Sequence, residues 1–61
     1  MFYIGKAICL KTDKKLNVNK GGIYTAYKDV PQNNYEIIIN DDHSIYMNQK
    51  RFDEYFKIKE L

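Results

Sequence analysis

Apolar and polar residues alternate with a period of two along most of the chain, which is the pattern of half-buried β-strands. Runs rich in Ile, Tyr, Phe and Val carry this alternation and predict five strands, at residues 3–10, 23–30, 35–40, 45–48 and 55–59. Successive side chains of a strand point to opposite faces, so we expect Ala7 and Cys9 to face the core together. By the same argument, Phe56 and Ile58 face the core from the last strand.

A long connection, residues 12–22, separates the first two strands and exceeds what a hairpin requires. Leu16 and Val18 interrupt its polar composition, and we expect them to fold back over the open end of the core. The connection ends in Gly21-Gly22, and we expect one of these glycines to adopt a positive φ angle, which a side chain would resist. Burial of the two apolar residues would hold this loop in place.

Turn-forming residues separate the later strands. Residues 31–34 (Pro-Gln-Asn-Asn) and 41–44 (Asp-Asp-His-Ser) predict tight hairpin turns. Residues 48–54 break the alternation, which predicts one 3₁₀ turn whose Phe52 plugs the core. Five short strands, a long loop after the first and a helical turn before the last indicate an all-β fold, a small five-stranded SH3-like barrel that spans residues 1–61 as a single domain.

Several short motifs carry a resemblance to known proteins. They are Ala-x-Cys at residues 7–9, Leu-x-Val-x-Lys-Gly-Gly-Ile-Tyr at 16–24, Ile-Ile-Asn-Asp-Asp at 38–42 and Lys-Arg-Phe at 50–52. Through them the chain resembles the small SH3-like barrel proteins encoded by phages and mobile elements of low-GC Gram-positive bacteria. It departs from their commoner pattern in its paired glycines and in a histidine in the third turn. The resemblance implies a phage accessory protein that binds and inhibits a host protein, such as a defence protein.

Composition bounds the compartment and the partners. Cys9 is the single cysteine, so no internal disulfide is expected and nothing favours an oxidising compartment. The N-terminus lacks the basic and apolar regions of a signal peptide, and no apolar run is long enough to span a bilayer. We therefore expect an intracellular protein with no membrane partner, and the resemblance implies that it acts in the cytoplasm of a bacterial host cell. A net charge of +2 is too small to indicate nucleic acid by itself.

Four patterns resemble catalytic or ligand sites, and each has a simpler structural interpretation. Cys9 has no histidine near it in sequence and is expected to be a small buried hydrophobe. Asp41-Asp42-His43 lie in one tight turn, where adjacent side chains rarely converge on a metal. Asp53-Glu54 follow two basic residues and are expected to be solvated, and Gly21-Gly22 precede a strand, whereas phosphate-binding glycine loops precede a helix. The sequence therefore predicts a protein that is not an enzyme and has no cofactor or metal.

Tyrosine is the residue type that favours a binding function, with six in 61 residues. Tyr27, Tyr35 and Tyr46 lie on three consecutive predicted strands, and they form one patch if all three point outward. Because tyrosine and arginine are favoured interface anchors, these three residues and Arg51 are the candidate protein-binding residues. An open strand edge also adds a strand of another chain. We expect a host protein as the partner, and self-association into a homo-oligomer would use the same surfaces.

Lysines around the long loop give an alternative function. Lys11, Lys14, Lys15 and Lys20 lie within ten residues that contain one acid, Asp13. Basic side chains follow a phosphate backbone and aromatic rings stack on unpaired bases, so these lysines are candidate nucleic-acid-binding residues. A structural component of a virion or scaffold is a third interpretation, which the sequence does not exclude.

Overall fold

The strand-forming runs take the positions that the alternation predicts. A computed structural model, which describes residues 1–59, contains five strands and one short helix. In chain order they are β1 (Phe2–Cys9), β2 (Ile23–Asp29), β3 (Asn34–Asn40), β4 (His43–Asn48), α1 (Gln49–Tyr55) and β5 (Phe56–Ile58). The five predicted strands are confirmed.

All strand pairs are antiparallel, and the strand order in the sheet is β4-β3-β2-β1-β5. Strand β1 lies between β2 and β5 and pairs with both. Within residues 1–59, β4 and β5 are the two edges of the sheet, and each is paired on one side. The prediction of a mostly β chain is therefore confirmed, whereas the sheet is open and its ends do not meet as those of a closed barrel would.

One face of the sheet carries the core, and helix α1 covers it. The ring of Phe52 stacks on Tyr35, with 4.0 Å between ring centroids, and also on Phe56 at 5.8 Å. Phe52 is therefore the plug that the sequence predicts, and Ile58 packs against the same cluster from β5. The buried residues are Ala7, Cys9, Val18, Ala26, Tyr35, Ile37, Met47, Phe52 and Phe56, which confirms the inward direction of the Ala-x-Cys pair.

A bulge in β1 changes which side chains face outward. Tyr3 pairs with Tyr27 and Gly5 pairs with Ala26, so Ile4 is an extra residue between two consecutive pairs. Gly5 has a φ of 122°, which an L side chain would rarely adopt. Because of the extra residue, Tyr3 points to the outer face of the sheet together with Tyr27, whereas Ala26 points to the buried face.

The long loop is a hairpin of its own, built on Asp13. The backbone N–H and C=O groups of Asp13 exchange hydrogen bonds with those of Val18, at 3.0 and 3.1 Å. The Asp13 carboxylate accepts from the backbone N–H groups of Lys15 at 2.9 Å and Leu16 at 3.1 Å, which closes the turn. Val18 is buried and Leu16 packs against the core. The prediction that both residues fold back over the core is therefore confirmed.

The two glycines at the end of this loop are required for different structural reasons. Gly21 has a φ of 86°, as predicted for one of the pair, and its N–H donates to the Cys9 carbonyl at 2.8 Å. Gly22 lacks room for a side chain: a Cβ there would lie 2.8 Å from the Tyr24 hydroxyl and 3.0 Å from the Asn19 carbonyl oxygen. The two glycines therefore allow the chain to pass close to the end of β1 and enter β2.

The link before β5 is longer than predicted. Residues Gln49–Tyr55 form an α-helix of seven residues, so the prediction of a 3₁₀ turn is wrong. Two contacts explain the additional length. The Asn48 side chain caps the helix by accepting from the Arg51 N–H at 2.9 Å, and Gln49 donates to Asp53 one turn later at 2.9 Å.

The β3–β4 hairpin is tighter than predicted. Only Asp41 and Asp42 lie outside the strands, because β4 begins at His43. Ile39 is an extra residue between two consecutive strand pairs, and this bulge brings Asn40 opposite His43. The Asn40 side chain accepts from the Asp42 N–H at 2.9 Å and fixes the turn.

Candidate functional site

Three tyrosines and a glutamate form one row across the outer face of the sheet. Tyr3 of β1 lies opposite Tyr27 of β2, Tyr27 opposite Glu36 of β3, and Glu36 opposite Tyr46 of β4. Tyr3 and Tyr46 are 55% and 61% exposed, and the rings of Tyr3 and Tyr27 pack edge to face with centroids 5.6 Å apart. We call this row of four residues the tyrosine face. Tyr3 and Tyr46 are therefore open to solvent, and Tyr27 between them is partly exposed.

Glu36 is the charged centre of the tyrosine face. Its Oε2 atom accepts from the Ser44 hydroxyl at 2.8 Å and from the Tyr46 hydroxyl at 3.1 Å. The hydrogen bond to Glu36 raises the pKa of the Tyr46 phenol above its ordinary value, and the charge of the same carboxylate acts in the same direction. Tyr46 therefore stays a neutral donor at physiological pH.

An open depression of about 430 Å³ adjoins this row. Its lining combines aromatic and acidic side chains from β2, β3, β4 and the β3–β4 turn. The lining residues are Tyr27, Glu36, Ile38, Asn40, Asp41, Asp42, His43 and Ser44. Three of them are carboxylates and one is a histidine, so the depression is acidic in a chain whose net charge is +2.

The two sheet edges differ in length and protection. Strand β4 presents six residues, His43–Asn48, without lysine or proline. Strand β5 presents three residues, with Lys57 in it and Lys59 directly after it. Lysine and short length are common means of preventing an edge from pairing with another chain. The β4 edge, which borders the tyrosine face, is therefore the edge more open to pairing.

The structure separates the predicted tyrosine set. Tyr27 and Tyr46 lie on the outer face, but Tyr35 is 6% exposed and lies in the core against Phe52. The condition for one patch, that all three point outward, therefore fails for Tyr35. Its hydroxyl donates to the Gln49 side chain at 2.7 Å, which satisfies the buried polar group.

Arg51 belongs to a second cluster, at the contact between the long loop and the helix. Its guanidinium carbon lies 5.5 Å from the centroid of the Tyr55 ring, and the Lys11 ammonium lies 4.6 Å from the same centroid. Lys11 also pairs with Glu54 at 3.0 Å, and the Tyr55 hydroxyl donates to Asp13 at 2.8 Å. We call these five residues, Lys11, Asp13, Arg51, Glu54 and Tyr55, the loop–helix cluster.

The loop–helix cluster shifts the pKa of Asp13. The hydrogen bond from Tyr55 lowers the pKa of the Asp13 carboxyl below its ordinary value, and the bond from the Leu16 N–H adds to the shift. Asp13 therefore stays ionised and continues to hold the loop turn. The cluster joins two elements that are distant in sequence.

In the described part of the chain, none of the candidate nucleic-acid lysines lies over the ring of an outer tyrosine. Lys11 is engaged with Glu54 and the Tyr55 ring. Lys14 and Lys15 are exposed at the tip of the long loop, and Lys20 is exposed near its end. Among residues 1–59, Lys11 is the member of this set that lies over a tyrosine ring, and that ring is in the loop–helix cluster.

The residues that are candidates for catalysis have different surroundings. Cys9 is buried, and its thiol donates to the Lys11 carbonyl at 2.9 Å. His43 is exposed at the start of β4. Asp53 and Glu54 are exposed on α1 and take part in contacts with Gln49 and Lys11. In the part of the chain that the structure describes, no three His, Cys, Asp or Glu side chains are placed to hold a metal ion.

Sequence reasoning missed Tyr3 and Glu36 as members of the site. A glycine within a strand often marks a bulge, so Gly5 was the signal that the alternation changes phase before Tyr3. Glu36 stands between Tyr35 and Ile37, and one outward acid among apolar residues indicates that both neighbours point inward. The alternation around Glu36 therefore predicts that Glu36 points outward and that Tyr35 points into the core.

Comparison with protein-family models, with curated proteins and with solved structures found no match. Among residues 1–59, no helix is both long enough and apolar enough to cross a membrane.

Proposed function

We propose that this chain is a binding protein and not an enzyme, and that it recognises another protein through the tyrosine face beside the β4 edge. The observation that carries the proposal is the exposure of Tyr3 and Tyr46 at 55% and 61%, on the outer face that also holds Tyr27. Tyrosine loses little conformational freedom on binding and is a frequent interface anchor. A partner strand at the adjacent β4 edge would add backbone hydrogen bonds to these contacts.

We base the proposed biological setting on the resemblance of the sequence motifs to phage-encoded barrel proteins. We infer an SH3-like arrangement, which is supported by the meander order, the long loop after β1 and the helix before β5. We further infer a phage-encoded protein that acts in the bacterial cytoplasm by covering a site on a host protein, such as a defence protein. In this mechanism the small rigid sheet blocks access to its target and performs no reaction.

A capture experiment with three baits tests the proposal. Wild-type chain, Tyr46→Ala and the double variant Lys14→Glu, Lys15→Glu are immobilised and exposed to lysate of a low-GC Gram-positive bacterium, with and without nuclease. We expect a protein that wild type and the double lysine variant retain equally and that Tyr46→Ala retains about tenfold less well, because an interface anchor is lost.

The opposite pattern contradicts the proposal. Nuclease-sensitive material that binds wild type and Tyr46→Ala alike, and that the double lysine variant loses, assigns the function to the loop lysines. Steep weakening with added salt accompanies that result. Equal protein capture by wild type and Tyr46→Ala also contradicts the tyrosine face as the binding surface.

A further inference from the structure

We propose that the acidic depression beside Tyr27 takes a positively charged side chain, arginine or lysine, from an extended segment of the partner. This inference rests on the proposed function, because it names the chemistry of the partner that the tyrosine face receives. The site consists of the Glu36 carboxylate, the Tyr27 ring and the acidic turn Asp41-Asp42.

The negative charge of the depression favours a positively charged ligand. Glu36, Asp41 and Asp42 line the depression, and His43 is the basic side chain among its lining residues. Glu36 is the main cause of the raised pKa of the neighbouring Tyr46 phenol, and the negative charge of Asp29 contributes to that shift in the same direction. A chain with ten basic and eight acidic residues therefore presents a negative surface at this place. A phosphate backbone would be repelled there and a cationic side chain attracted.

The Glu36 carboxylate is held in position before any ligand arrives. Both of its donors, the Ser44 and Tyr46 hydroxyls, bind the same oxygen, Oε2. Among the described residues, no side chain or backbone group donates to its Oε1 atom. The side chain is half-buried, so its orientation is fixed while one oxygen stays free to accept a charge-assisted hydrogen bond.

Tyr27 provides an aromatic wall for the same cation. Its ring packs against Tyr3 at an interplanar angle of 67°, which restricts its rotation. A guanidinium or ammonium group over a tyrosine face gains a cation–π interaction, and this gain grows where water is partly excluded. The combination of a fixed carboxylate and an aromatic face favours a cationic side chain over an apolar anchor.

The position of the depression fits an extended segment. A strand that pairs with the β4 edge would place alternate side chains on the outer face, next to Ser44 and Tyr46. Those side chains lie at the border of the depression, within reach for a long arginine or lysine. A second copy of this chain paired through its own β4 would present Ser44, Tyr46 and Asn48 on this face. None of these side chains is positively charged, so a second copy would not supply the cation.

A peptide titration tests the inference on the folded chain. The probes are an octapeptide of alternating threonine and arginine and its counterpart with glutamate in place of arginine, each followed by calorimetry. We expect saturable binding of the arginine peptide and none of the glutamate peptide. Glu36→Gln should weaken arginine-peptide binding about tenfold, because it removes the charge from the hydrogen bond while it keeps the shape and the Ser44 contact.

Glu54→Gln is the matched control, since it removes the same charge from an exposed carboxylate in the loop–helix cluster. It should leave peptide affinity unchanged. Equal affinity of wild type and Glu36→Gln, equal binding of both peptides, or no saturable binding contradicts the inference. Sedimentation of the chain alone adds one outcome: self-association that Glu36→Gln abolishes, without peptide binding, contradicts the inference and assigns the depression to a second copy.

The two proposals fail separately. If a captured protein is lost with Tyr46→Ala and kept with Glu36→Gln, the tyrosine face is the binding surface and the cationic site is wrong. If capture does not depend on Tyr46, the proposed function is wrong whatever the peptide result.

Discussion

The tyrosine face and the loop–helix cluster use the same chemical pair for different purposes. In each, a tyrosine hydroxyl donates to a carboxylate: Tyr46 to Glu36 at 3.1 Å, and Tyr55 to Asp13 at 2.8 Å. Asp13 also accepts two backbone N–H groups, and two cations lie over the Tyr55 ring. These groups are occupied within the chain, so the cluster joins the loop to the helix.

For Glu36 of the tyrosine face, residues 1–59 provide neither an ion-pair partner nor a backbone N–H donor. Glu36 accepts from two neutral hydroxyls, and the exposed rings of Tyr3 and Tyr46 extend the surface on both sides. A tyrosine–carboxylate pair by itself therefore does not indicate function. A candidate binding surface is distinguished by exposed rings and charged groups that are not already engaged by other parts of the chain.

The largest effect is expected from Phe52→Ala, which removes the support of the loop–helix cluster. Phe52 is the buried residue of α1 and stacks on both Tyr35 and Phe56. Its loss should cost about 3–5 kcal/mol, which is comparable with the whole stability of so small a domain. Urea denaturation measures this, with Phe52→Leu as a milder control. A cost for Phe52→Ala below about 1 kcal/mol would show that the helix is not held through the core.

A smaller loss is expected from Gly21→Ala, which strains the loop without touching the tyrosine face. Gly21 has a φ of 86°, and a side chain in a left-handed conformation costs about 1–2 kcal/mol. Thermal denaturation should show this loss, while capture of the partner by the folded fraction stays unchanged. If capture falls with Gly21→Ala in conditions where the chain is fully folded, the long loop takes part in binding and its role is not only structural.

Removal of a single hydroxyl should change stability in the loop–helix cluster but not in the tyrosine face. Tyr55→Phe should cost about 1 kcal/mol of stability, because it deletes a hydrogen bond between elements that are distant in sequence. Tyr46→Phe removes the equivalent bond from an exposed residue and should leave the urea midpoint unchanged. A larger loss for Tyr46→Phe than for Tyr55→Phe would reverse the roles assigned to the two regions.

The smallest effect is expected from acid pH, through Asp13. Its folded-state pKa is depressed, so its contribution to stability is complete above the ordinary value of 3.8 and is lost as pH falls through the lower folded-state value. Wild type should therefore lose stability relative to Asp13→Asn as pH is lowered from 5 to 2, measured by urea midpoints. Parallel midpoints for the two proteins across this window would contradict the role of the ionised Asp13.

Strand periodicity predicted much of the fold because burial on one face leaves a period of two in the sequence. The inward direction of the Ala-x-Cys pair, the burial of Val18 and the positive φ of Gly21 all followed from side-chain size and backbone sterics. The length of α1 did not follow, because it depends on the Asn48 cap and the contact between Gln49 and Asp53. Sheet closure also was not predictable, since it depends on strand curvature that local patterns do not record.

The candidate site was predicted only in part. Tyr27 and Tyr46 reach the outer face by simple alternation, whereas Tyr3 reaches it through the bulge at Gly5. Tyr35 was misjudged as a surface anchor because its residue type suits both an interface and a core. The depression itself joins residues from three strands and a turn, and such a surface requires the register of the sheet.

Backbone amide exchange of the wild-type chain, measured alone and with its captured partner, shows which surface recognises the partner. The proposed binding surface predicts slower exchange in β4, residues 43–48, on addition of the partner, and unchanged exchange in the lysine-bearing loop at residues 11–20. Protection confined to residues 11–20, with β4 exchanging as fast as in the free chain, would contradict the assignment of recognition to the tyrosine face.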